Sequence, residues 1–166
     1  MSERNGTVVC PGTYDPVTLG HIDIITRTSN VFDKVVVGVV NNPLRKNKTL
    51  FTAEERKAFI EEATASLSNV EVQIFSTLLV EFARENGAHA IVKGMRAISD
   101  FEYEFEMAQL NRKLDPGIES IYVIASPHYS FLSSTGVKEM ATFGGDVGDL
   151  VPPAVAGALA ERLADR

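Results

Sequence analysis

Five short apolar runs rich in valine and isoleucine dominate the chain: Val8 to Cys10, Val35 to Val40, Val70 to Phe75, Ala90 to Val92 and Ile121 to Ala125. Each is continuous rather than alternating, which is the pattern of a strand covered on both faces, and such strands belong to parallel sheets with helices packed above and below. The segments between them carry helix signals. Thr52 and Glu55 form a capping box ahead of Phe59, Ile60, Ala63 and Leu67, which share one face. Leu78, Leu79, Phe82 and Ala83 make a second stripe that Gly87 should stop. A short helix is predicted from about Ser134 to Thr142, and a last one follows Pro152-Pro153. In "DFEYEFEMAQLNRKL" the alternation from Phe101 to Glu106 taken alone suggests a strand. Phe101, Phe105 and Ala108, beside Tyr103, Met107, Leu110 and Leu114, recur at helical spacing and decide for a helix, capped by Ser99 or Asp100. The expectation is a single α/β domain spanning residues 1–166, with five parallel strands and helices on both faces.

Composition narrows the class of function. A chain of 166 residues, 45% hydrophobic and 23% charged, has the profile of a soluble globular domain that needs neither disulfide nor metal to hold its core. Its net charge of -6 disfavours non-specific binding to nucleic acid or to an anionic membrane. The polar start, Met1 to Gly6, has no apolar signal core, and no apolar run is long enough to span a bilayer, so a cytoplasmic location is expected. The one cysteine, Cys10, lies inside the first apolar run and reads as a small buried hydrophobe. His89 and His128 carry no partner pattern and read as surface or loop residues.

Polar loops follow three of the strands. "PGTYDPVTLGH", Pro11 to His21, leaves the first strand through Gly12, a residue that permits close backbone approach. Thr13 adds a hydroxyl and an amide, Asp15-Pro16 fixes a turn, and Gly20-His21 opens a helix whose positive end favours an anion. Alone this is as well read as a turn with a polar cap. It is not a Walker loop and lacks the dinucleotide glycine pattern. Lys93-Gly94-Met95-Arg96 is expected just after the fourth strand, where two cations suit phosphate clamping better than a solvated pair. "YSFLSSTGVKE", Tyr129 to Glu139, puts Ser133, Ser134 and Thr135 at a further helix start on the same sheet edge.

In this order and spacing, "PGTYDPVTLGH", "KGMRAISDFEYE" and "YSFLSSTGVKE" resemble the bacterial phosphopantetheine adenylyltransferases of the nucleotidylyltransferase superfamily, from about Val8 into the final helix. The resemblance implies a Rossmann-like fold and transfer of AMP from ATP to 4'-phosphopantetheine, giving dephospho-coenzyme A and pyrophosphate, with Mg2+ and in a homohexamer. It implies that Thr13 and Tyr14 meet ATP and the pantetheine phosphate, and that His21 is the second histidine of the superfamily's His-x-Gly-His signature, with Thr18 in place of the first. Lys93 matches the cation that holds the acceptor phosphate. Gly94, Met95, Arg96 and Glu104 match nucleotide contacts, as do Tyr129, Ser130, Phe131, Leu132, Ser133, Ser134 and Thr135. Leu79 matches a contact to the pantetheine arm. The family's lysine after "NP" aligns without gaps to Arg45, with Lys46 adjacent, and Gly136 replaces a larger apolar residue that is expected to firm the helix start.

The implied chemistry suits these residue types. The terminal phosphate of phosphopantetheine is already a nucleophile, so in-line attack on the α-phosphorus of ATP leaves positioning and charge neutralisation to the protein. His21 and Arg45 or Lys46 would stabilise the α-phosphate, Lys93 would hold the acceptor, and Mg2+ would offset the leaving pyrophosphate. Thr13 completes the candidate catalytic group. Two other readings stand beside this one: a cytidylyltransferase acting on another phosphorylated substrate, and a non-catalytic nucleotide-binding regulator. The regulator would not need His21 together with Lys93 and Arg96.

Overall fold

A computed structural model describes residues 6–41 and 48–164. Strands β1 (Thr7–Gly12), β2 (Lys34–Val40), β3 (Val70–Phe75), β4 (Ala90–Met95) and β5 (Glu119–Ile124) form one parallel sheet in the order β3-β2-β1-β4-β5. The connecting helices are α1 (Leu19–Ser29), α2 (Ala53–Ala63), α3 (Leu79–Glu85) and α4 (Ile98–Leu114). After β5 come a 3-10 turn (Pro127–Tyr129), α5 (Ser134–Thr142) and α6 (Pro153–Leu163).

Alternation along the central strands sets the two layers, because successive side chains of a strand point to opposite faces. Val8, Cys10, Val35, Val37 and Val39 enter one core with Ile25 of α1, Ile60 of α2, Val137 of α5 and Leu159 of α6. Val9, Val36 and Ile91 enter the other with Val80, Phe82 and Ala83 of α3. In that second layer the rings of Phe75 and Phe82 stack with centroids 4.2 Å apart, directly over Gly38. A methyl group at Gly38 would overlap both rings, so the strand needs a residue without a side chain there.

The site is opened by a short ladder. β1 pairs with β2 along its whole length, but with β4 only at Val8↔Ala90 and Val9↔Ile91. Beyond Val9 the two strands part, and a crevice begins between Cys10 and Val92. This is the point where strand order reverses, the position at which open α/β sheets bind ligands.

Several sequence expectations need correction. β1 runs on through Pro11 and Gly12, which pair with Gly38 and Val39. β4 runs on through Lys93, Gly94 and Met95, which pair with Tyr122, Val123 and Ile124, so Lys93 is a strand residue and not a loop residue. β5 is not covered on both faces: it is an edge strand, and Ile124 is 64% exposed. α4 is a helix as expected, but it begins at Ile98. The Asp100 carboxylate accepts from the Arg96 and Ala97 amides just outside it. Its apolar residues Phe101, Tyr103, Phe105, Leu110 and Leu114 are each about half exposed. Among the described residues no helix is long and apolar enough to cross a membrane.

Candidate active site

At the carboxyl ends of β1 and β4 lies a cavity of about 320 Å³. The loop after β1, the start of α1, the end of β4 and the segment from Tyr129 into α5 line it. The three motifs read from the sequence therefore converge on one site.

His21 is the most constrained polar group in it. Thr18 caps α1, and its hydroxyl accepts from the His21 amide. In return His21 Nδ1 accepts from the Thr18 amide at 2.9 Å. A nitrogen that accepts a backbone N–H carries no proton, so the neutral ring bears its hydrogen on Nε2. Burial and then the nearby Arg96 charge lower the His21 pKa to about 4. The imidazole is thus a neutral donor at neutral pH, and its ring is braced edge-on by Tyr14 at 5.0 Å between centroids.

Tyr14 itself faces inward. Its ring is buried, its hydroxyl donates to the Cys10 carbonyl, and its φ of 53° turns the chain sharply. A side chain at Gly12 would strike that ring at 2.9 Å, which explains the glycine. Thr13 is exposed just beside the cavity, not among its walls, and its carbonyl accepts from Arg56. Cys10 lines the cavity floor, but burial pushes its thiol up to about 12, which removes it as a nucleophile at neutral pH.

On the opposite wall Lys93 and Arg96 are each committed to a partner. Lys93 Nζ lies 2.9 Å from Glu104 Oε1 of α4, and the Tyr122 hydroxyl donates to the Glu104 backbone carbonyl. Arg96 Nη1 donates to the Leu132 carbonyl at 2.8 Å, which ties the end of β4 to the loop before α5. Gly94 completes this wall. At the third edge Ser133 caps α5 by accepting from the Gly136 amide, and Ser134 and Thr135 line the cavity with Tyr129 and Leu132. α5 starts cleanly at Ser134, so Gly136 does not loosen it, and a methyl at Gly136 would crowd the capping oxygen at 3.1 Å.

Other expected site residues lie outside the cavity walls. Met95 ends β4, Glu104 stands behind Lys93, Ser130 and Phe131 are exposed beyond the 3-10 turn, and Leu79 begins α3, packed partly on the second core. Arg45 and Lys46 fall outside the described residues. Among the described residues no three histidine, cysteine or acidic side chains come together to hold a metal ion, and no carboxylate lines the cavity. The walls offer hydroxyls, amides, one imidazole and two cations, a donor set for phosphate oxygens. The residues reading from sequence missed are Asp15, Arg56 and Lys138, which sit beneath the loops. Only the Asp-Pro turn hinted at any of them.

A family model described as cytidylyltransferase-like matches residues 9–140. A protein from Heliobacterium modesticaldum named phosphopantetheine adenylyltransferase is 50% identical over 157 residues, 95% of this chain and 92% of its own. One of the same name from Rubrobacter xylanophilus is 54% identical over 147 residues, 89% of this chain and 88% of its own. Among solved structures, nicotinic acid mononucleotide adenylyltransferase from Plasmodium falciparum, complexed with NaAD, superposes with a TM-score of 0.65 at 14% identity. It covers 95% of this chain and 96% of its own, and that likeness shows the fold. With its motif loops gathered on one cavity, and with half its residues shared across nearly the full length of these relatives, the chain belongs to the phosphopantetheine adenylyltransferase family of cytidylyltransferase-like proteins.

Proposed function

We propose that this protein transfers the adenylyl group of ATP to 4'-phosphopantetheine, releasing pyrophosphate and forming dephospho-coenzyme A. The observation that carries the reading is His21, a neutral N–H donor fixed by its own helix cap at the crevice where strand order reverses. A transferring phosphoryl group needs such a donor, held before the reaction begins. In this reading the Nε2–H of His21 meets a non-bridging oxygen of the α-phosphate. The α5 start and Arg96 hold the nucleotide, and Lys93 holds the acceptor phosphate. No wall residue serves as a base, because a phosphate dianion attacks without one. Among the described residues no carboxylate lines the cavity, and in this reading Mg2+ would enter with ATP, its usual mode with nucleotide substrates. From sequence alone, Arg45 or Lys46 supplies a further cation.

The half-exposed apolar residues of α4 and the open edge at Ile124 support association of several copies, and we assign the assembly as a homohexamer acting in the cytoplasm. The assay is direct. Purified protein with Mg2+ and phosphopantetheine should release pyrophosphate from ATP and not from CTP, with dephospho-coenzyme A identified by mass, and light scattering should report six chains. Turnover of CTP in place of ATP would assign a cytidylyltransferase, and nucleotide binding with no turnover would assign a regulator.

A further inference from the structure

Beneath the cavity lies a set of charges that the chemistry above does not use. Asp15, 5% exposed, sits in the turn after β1. Its carboxylate accepts from the amides of Leu50 (2.8 Å) and Phe51 (2.9 Å) and from Lys138 Nζ (3.1 Å) of α5. Arg56 of α2, 2% exposed, complements it. Its Nη1 donates to the carbonyls of Thr13 (2.7 Å) and Val40 (3.0 Å), and its Nε donates to that of Phe51 (3.1 Å). From the other side Ser134 Oγ donates to the Pro16 carbonyl at 2.8 Å. Three of the four residues from Thr13 to Pro16 are thus held: Thr13 from α2, Asp15 from the segment that leads into α2 and from α5, and Pro16 from α5. None of Asp15, Arg56 and Lys138 lines the cavity.

Buried charges of this kind are a poor device for stability, since apolar replacements of similar volume often do as well. What they supply is directional geometry. We propose that Asp15 and Arg56, with Lys138, are positioning residues that hold the Thr13–Pro16 turn and the first turn of α5 at one fixed spacing, so that the two substrate-facing loops stay in register for in-line transfer. The inference rests on the adenylyl-transfer reading for its kinetic consequence and on hydrogen bonds alone for its structural one.

Asp15→Asn keeps the side-chain shape but turns an amide towards a donor. At saturating ATP and phosphopantetheine its kcat should fall about 100-fold, the effect of roughly 1 Å of misplacement, while ATP affinity measured by calorimetry stays within about threefold. Adding Lys138→Met should cost nothing further, because Lys138 acts through Asp15. Amide exchange should show faster opening at Gly136 and Val137 of α5 in Asp15→Asn, although Asp15 bonds to neither. If Asp15→Asn does not accumulate in folded form, Lys138→Met alone should show the same split with about a tenfold loss in kcat. Unchanged kcat in the folded variant, losses that multiply in the double variant, or α5 protection equal to the parent would each overturn the proposal. The exchange measurement is independent of turnover, so an inactive parent protein would count against adenylyl transfer and leave this test standing.

Discussion

On the α1 side of the cleft His21 is held by backbone: a Thr18 amide on one ring nitrogen, a helix cap around it, and a buried tyrosine ring at its edge. On the β4 side Lys93 is held by another charge, the Glu104 carboxylate, with the two side chains 25% and 13% exposed. The difference is one of commitment. His21 cannot reorient without breaking its cap, so its Nε2–H is fixed before any ligand arrives, and a donor that need not move is worth most where charge develops. Lys93 can trade a carboxylate for a phosphate of the same sign at small net cost, which suits a group that must first capture an acceptor and then release a product. On the proposed reaction, the His21 wall would serve the transition state and the Lys93 wall the ground state.

Substitutions should separate these roles. The largest effect belongs to His21→Ala, which should lower kcat by about 10²–10³-fold, or about 2.7–4 kcal/mol, with KM for both substrates within a fewfold of the parent. Steady-state kinetics at saturating substrate measure this, and an intact kcat would reduce His21 to a helix cap. Lys93→Gln should act mainly on KM for phosphopantetheine, raising it about tenfold or more for the loss of one charged hydrogen bond, with a smaller change in kcat. A loss confined to kcat would erase the distinction between the walls. The smallest effect is expected from Glu104→Gln, which frees Lys93 from a partly exposed pair and should lower the KM for phosphopantetheine by no more than about fivefold. If Glu104→Gln instead raises the KM for ATP, Glu104 meets the nucleotide and Lys93 is a lesser partner.

Much of this architecture could be read from the sequence because its signals are local. Valine runs fixed the strands, the Thr52–Glu55 capping box fixed α2, and Gly87, with a φ of 66°, ends α3 where expected. Strand ends were less legible. Lys93 and Gly94 look like the start of a loop because one is charged and the other has no side chain, yet with Met95 they continue the β4 ladder, since the edge strand β5 offers partners to any backbone. The apolar spacing of α4 announced a helix but not its environment: Phe101 and Phe105 have the periodicity of core residues and face outward in the single chain. Beyond the Asp15-Pro16 turn, the roles of Asp15, Arg56 and Lys138 leave no local signal, because the partners lie 36, 43 and 123 residues apart and because Arg56 follows Glu54 and Glu55 in what looks like a solvated helix turn. In the sequence Thr18 stands only as a substitute for a missing histidine. Its amide proves to be what sets the tautomer of His21.

That tautomer is the point on which the account turns, and nitrogen-15 NMR of the histidine-labelled protein reads it directly. The His21 pKa is lowered from 6.5 to about 4, so acidification from pH 8 to pH 5 should leave its ring neutral. In the same window the unfolded chain takes up the proton first, so His21 contributes full stability above about pH 6.5 and loses it progressively as the pH falls towards 4. The spectrum should show Nδ1 bare and Nε2 protonated throughout, with and without ATP. A ring that titrates near pH 6.5, or that carries its proton on Nδ1, would contradict the claim that His21 is a preset neutral donor to the α-phosphate.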